Sequence, residues 1–122
     1  MEDKNLFDDI ERDLERPRLD NEPCFEYLNI SARIESQKIR ELLEQWFKRY
    51  PSEHQDDLRG RFRDKDDRIH IGAFFELYLH ELMIRSGYEV EVHPDINGTT
   101  NHPDFEVLTD ELEFYLEATS VM

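Results

Sequence analysis

Residues 71–87, "IGAFFELYLHELMIRSG", are apolar nearly all the way round a helix and end in glycine, a natural residue for closing one. Such a helix is stable only when other elements cover most of its surface, so the remaining chain must supply a surrounding layer. One residue conflicts with that demand. Glu76 lies between Phe75 and Leu77 in the densest apolar run of the chain, and a carboxylate buried there must be ion-paired, metal-bound or protonated. His80 follows one turn later on the same face. Glu81, roughly 140° further round the helix, is expected in solvent.

After Gly87 the hydropathy period changes to two. In "YEVEV" Tyr88, Val90 and Val92 fall on one face, with Glu89 and Glu91 on the other. "DFEVL" and "ELEFYLEAT" read as two more strands joined at Thr109-Asp110-Glu111. In the last of them Leu112, Phe114, Leu116 and Ala118 share a face, and Glu113, Tyr115, Glu117 and Thr119 share the other. Upstream, Leu6, Ile10 and Leu14 in "KNLFDDIERDLE" predict a short amphipathic helix over residues 4–15, docked or partner-binding. "RPRLDNEPC" breaks it with two prolines. Ser31 is the predicted N-cap of a helix running through Tyr50, with Pro51 as its stop. Ile39, Leu42, Leu43, Trp46, Phe47 and Tyr50 form its apolar stripe. Residues 58–68, "LRGRFRDKDDR", read as a charged connector whose aspartates interrupt a basic run. The fold class is therefore α/β: N-terminal helices followed by a mostly antiparallel three-stranded sheet. Residues 1–30 form an acidic N-terminal segment, and residues 31–122 the α/β domain.

A chain of 122 residues suits one domain with a real core. The single cysteine, Cys24, cannot form an intramolecular disulfide, which predicts a reducing, cytoplasmic setting. The acidic first twenty residues lack the apolar core of a secretion signal, and no apolar run is long enough to span a membrane. The net charge of −15 is uneven: residues 72–122 hold eleven acidic groups against one basic group, Arg85. Such a field repels nucleic acid unless cations offset it, and it raises the alternative that some carboxylates converge on a metal.

Residues 93–105, "HPDINGTTNHPDF", carry His-Pro-Asp twice. The second copy places Asp104 at the start of a strand, separated from Glu117 by twelve residues in the sequence and within reach of it across a hairpin. "GAFFE" on a helix, a Gly-terminated turn, a strand, "PD" and then "EAT" together resemble the PD-(D/E)XK nuclease superfamily, the restriction-endonuclease-like fold. The resemblance covers residues 72–119. It implies a metal site of Glu76, Asp104 and Glu117 with the Ala118 carbonyl, holding Mg²⁺ or Mn²⁺ beside a scissile phosphate, and hydrolysis of DNA phosphodiester bonds. Asp104, Glu117 and Thr119 take the catalytic positions. Thr119 stands where the family has lysine, and no lysine lies between residues 72 and 122. The family core continues with a further helix and strand, so the resemblance implies a core truncated at Met122. His80, His93 and His102 are further candidate ligands, for a softer ion such as Mn²⁺ or Zn²⁺. Two functions stay open: a metal-dependent nuclease, or a catalytically inactive module of the same fold that binds a protein partner, for which residues 1–20 are a candidate contact.

Overall fold

The computed structural model describes residues 5–94 and 103–118. They form four helices, α1 (Cys24–Ile30), α2 (Ile34–Arg49), α3 (Ser52–Phe62) and α4 (Asp67–Arg85), followed by strands β1 (Glu89–Val92), β2 (Phe105–Leu108) and β3 (Glu113–Leu116). The strands make one antiparallel sheet in the order β1-β2-β3. This is the α/β class expected from the change of period at Gly87.

The central element is α4. The Asp66 carboxylate caps it by accepting the Arg68 N–H at 3.0 Å. At the other end Gly87 adopts φ +85°, its N–H donates to the Ile84 carbonyl and the Tyr88 N–H donates to Met83. These two bonds satisfy carbonyls that the helix leaves open and turn the chain directly into β1. The register pairs Val92 with Phe105 and Phe105 with Leu116. Val92, Phe105 and Val107 are buried on the inner face with Ala73 and Leu77 of α4, beneath Leu43, Phe47 and Tyr50 of α2. The outer face carries Glu89, Glu91, Glu106 and Glu113, and Glu91 stands opposite Glu106. The Glu106 carboxyl is pushed above the usual range, first by its hydrogen bond with Glu113 and then by burial and neighbouring charge.

Several expectations from sequence are overturned. Residues 5–15 form no helix. Asp9 with Asp13, and Glu11 with Glu15, would place like charges one turn apart in a peptide too short to be stably helical alone. The segment instead straps across the helices with Leu6 and Phe7 buried. Its backbone is satisfied from outside: the Glu44 carboxylate accepts the Leu6 N–H at 2.7 Å, Asn29 Oδ1 accepts the Asp8 N–H at 2.9 Å, and Leu14 bridges to Ser31. Helix α1 begins at Cys24, the last residue of the proline-broken stretch, and runs through residues for which the sequence predicts no element. Pro23 immediately precedes it, and Arg12 and Arg40 donate to the Asn29, Leu28 and Ser31 carbonyls at its C-terminal end.

The start of α2 is Ile34 rather than the residue after Ser31, whose hydroxyl accepts the Arg33 N–H just outside the helix. The supposed connector contributes the C-terminal part of α3, residues 58–62. Its apolar stripe is only Leu58 and Phe62, one turn apart, yet both are fully buried against the rest of the core. Burial of two such side chains contributes about 1.5–3 kcal/mol each. The arginines of that stretch stitch the fold: Arg59 donates to the Asn5 carbonyl, and Arg63 to the Leu6 carbonyl while lying over the Phe25 ring. Helix α4 is covered on fewer sides than its composition suggests, because Phe75, Tyr78 and Leu82 point away from the sheet and stay exposed. Glu81 is buried, not solvated; Arg49 and Arg85 both donate to it, at 2.6–3.1 Å. Burial works against its charge, but those two guanidinium groups outweigh it and hold its carboxyl below the usual range.

Candidate metal centre

Three side chains meet at the end of the sheet nearest α3. Glu76 comes from the middle of α4, His93 from the residue after β1, and Asp104 from the residue before β2. One donor atom from each lies within 4.8 Å of the other two, so the group can hold a metal ion. The first two arrive by different local rules. Glu76 is carried inward by the buried face of α4, on which Ala73, Leu77 and His80 also lie. His93 leaves the strand in the left-handed region at φ +50°, a conformation that costs a non-glycine residue about 1–2 kcal/mol. Its N–H still donates to the Asp104 carbonyl at 2.8 Å, so the ladder runs one pair past β1 and β2. The imidazole Nε2 then stands 3.8 Å from Glu76 Oε1.

Asp104 is fixed from the neighbouring strand: the Ala118 N–H donates to its Oδ2 at 2.7 Å. Ala118, expected to offer a carbonyl, thus has its amide turned to orienting the aspartate. Glu117 lies one step beyond the Phe105–Leu116 pair, is exposed, and does not belong to the three-residue group. Thr119 and His102 lie outside the described residues. His80 is buried against the Tyr50 and Phe105 rings and is not part of the group.

Two further residues shape the centre, and neither stood out in the sequence. Arg61 of α3 reaches Glu76 with both terminal nitrogens, Nη1 to Oε2 and Nη2 to Oε1, and its Nη2 also donates to Asp57 at 2.9 Å. The only sequence signal was Asp57 and Arg61 at i,i+4, on either side of Leu58, in a stretch that did not read as helical. Burial opposes the Arg61 charge, but Glu76 and Asp57 outweigh it and keep it firmly protonated. Glu76 is raised as well, which for a carboxyl works against the charge: burial pushes it above the usual range, Arg61 offsets part of that, and Asp104 adds to it. The second residue is Tyr50, only 1% exposed, whose hydroxyl is buried and has no hydrogen-bond partner among the described residues. After burial itself, the charges acting on that hydroxyl are Glu76, Arg61, Asp104 and Asp57.

The donor set fits a divalent cation. It offers two carboxylates and one imidazole, a mixture suited to Mn²⁺ and its neighbours, whereas Mg²⁺ prefers oxygen alone. The juxtaposed carboxylates of Glu76 and Asp104, and the Tyr50 hydroxyl that lacks a partner among the described residues, both suit an added positive centre with its water. A cation arriving at Glu76 competes with Arg61, since two positive groups on one carboxylate repel each other.

No protein-family model, no curated protein and no solved structure matches the chain. Among the described residues no helix is long and apolar enough to cross a membrane.

Proposed function

We propose that this protein is a divalent-metal-dependent phosphodiester hydrolase acting on DNA, with a core of the restriction-endonuclease-like kind. The observation that carries the reading is the convergence of Glu76, His93 and Asp104, from three separate elements, around one ion-sized space. Mg²⁺ or Mn²⁺ is the cofactor, and the His93 imidazole favours Mn²⁺. When bound, the cation supplies Lewis-acid polarisation of a phosphate oxygen and a water of lowered pKa. The protein's part is to hold and orient. Glu76 and Asp104 provide the anionic clamp, the Ala118 N–H sets the Asp104 plane, and the strained His93 backbone delivers its ring to the same point. Arg61, once displaced from Glu76, keeps Asp57 as a partner and leaves its remaining donors to a phosphate.

The test is cleavage of plasmid and oligonucleotide DNA with Mn²⁺, Mg²⁺ or chelator. Asp104→Ala is expected to abolish both cation binding and cleavage while the far-ultraviolet spectrum stays unchanged. Calorimetry showing no cation uptake at millimolar Mn²⁺ in the folded protein rejects the proposal.

A second reading is favoured by one contact: Arg61 already sits on Glu76 as a two-pronged ion pair. In that reading the cluster is a catalytically silent element of a module that binds a basic protein partner through the acidic outer face of the sheet. Cleavage by wild type that is lost in Asp104→Ala eliminates it.

A further inference from the structure

Tyr50 closes the C-terminal end of α2 with its ring against His80, centroids 5.0 Å apart, and its side chain is among the most fully buried in the protein. A buried hydroxyl normally finds a partner, because leaving one unsatisfied costs about 1–3 kcal/mol. Neither a backbone carbonyl nor a side chain among the described residues accepts from it or donates to it. The neighbouring His80 Nδ1 is likewise buried without a partner. A phenylalanine would fill the same volume without that penalty, so packing alone gives no reason for the oxygen. Its surroundings do: the ring packs on His80, one turn along α4 from Glu76, and His80 packs on Phe105, the residue after Asp104, so that Glu76, Arg61, Asp104 and Asp57 are the charges acting on the hydroxyl.

We infer that Tyr50 is a positioning residue for the metal centre, its hydroxyl holding a water molecule that lies between it and a cation bound by Glu76, His93 and Asp104. The inference rests on the proposed metal site and adds to it the residue that fixes where the water stands. Burial keeps the phenol neutral, so it acts as a hydrogen-bond partner and not as a metal ligand. Residues that orient a centre without touching the ion typically change metal affinity or activity by about 10–100-fold when altered.

Tyr50→Phe deletes the oxygen and keeps the ring. In metal-free protein the variant should melt at the wild-type temperature or above it, since it removes an unpaired hydroxyl. Titration calorimetry should give Mn²⁺ binding about tenfold weaker than wild type. Pulsed electron paramagnetic resonance in D₂O should show a diminished signal from ordered water at the Mn²⁺. A 3-fluorotyrosine at position 50, which leaves the hydroxyl in place, should show its fluorine line broadened by stoichiometric Mn²⁺. Unchanged affinity and water signal in Tyr50→Phe overturn the inference, as does a lowered melting temperature with unchanged affinity, which assigns the residue to packing. An unbroadened fluorine line also overturns it. Absence of Mn²⁺ binding by wild type overturns the metal proposal itself, and this inference with it.

Discussion

Glu76 and Glu81 are buried carboxylates on one helix, each hydrogen-bonded by arginine, and replacing each with glutamine should have unequal consequences. Glu81 is 3% exposed and receives Arg49 Nη2 at 2.6 Å and Arg85 Nε at 2.6 Å. Breaking a buried pair from one side costs about 3–5 kcal/mol. Arg49 and Arg85 are 43% and 61% exposed and regain water when the charge is lost, so about 2 kcal/mol is expected. In a chain of this size that lowers the melting temperature by about 8 °C. At Glu76 burial outweighs Arg61 and pushes the carboxyl upward, and Arg61 retains Asp57. Neutralising it in the metal-free protein should therefore cost less than the same change at Glu81. The signs with pH are opposite. The lowered carboxyl of Glu81 contributes stability above its ordinary value of 4.5, lost as pH falls through its folded value. The raised carboxyl of Glu76 makes its ionised form costlier in the folded than in the unfolded protein, a cost relieved as pH falls through its folded value toward 4.5. Urea unfolding followed by fluorescence of Trp46, the single tryptophan, measures both variants. Equal destabilisation of Glu76→Gln and Glu81→Gln at pH 7 refutes the reasoning, since Glu76 would then be an ordinary structural ion pair.

Leu58→Ala should destabilise by about 2–5 kcal/mol in the same assay, although it lies in a highly charged helix, because Leu58 is fully buried in the core. Leu6→Ala should fall in the same range of about 2–5 kcal/mol, since the N-terminal strap packs into the common core. His70 is held below the usual imidazole range, first by burial, and its Nδ1 lies 2.5 Å from the Phe62 carbonyl. Its neutral form is the one that folds, so its contribution is complete above about pH 6.5 and declines as pH falls; wild type should lose stability there more steeply than His70→Gln. Glu117→Ala should bind Mn²⁺ as wild type does, whereas Asp104→Asn should not, both measured by calorimetry.

What the sequence could convey depended on the range of the forces involved. The α4 helix, its glycine stop and the three strands are encoded locally, in period and turn residues, and the meander follows from their spacing. Glu76 stands out in the sequence because a carboxylate in an apolar helix is unusual in itself, and Asp104 through the resemblance that the PD and EAT motifs carry; the structure brings both into one group. His93 was legible only as one candidate among three histidines, since its role depends on a single backbone angle of +50°. The strap at residues 5–15 has a helical hydropathy pattern, but tertiary partners such as Glu44 and Asn29 take its backbone donors instead. Arg61 and Tyr50 owe their roles to packing between α2, α3 and α4, which no local pattern reports. Glu81 was misjudged for the same reason: two arginines, one from another helix, made its burial possible.

The most direct test of the account is a crystal soaked in Mn²⁺ and measured at the manganese absorption edge. The account requires one anomalous peak bonded to Glu76, His93 and Asp104, with Arg61 withdrawn from Glu76 toward Asp57. A map without that peak, with the Arg61–Glu76 pair intact at millimolar Mn²⁺, contradicts it.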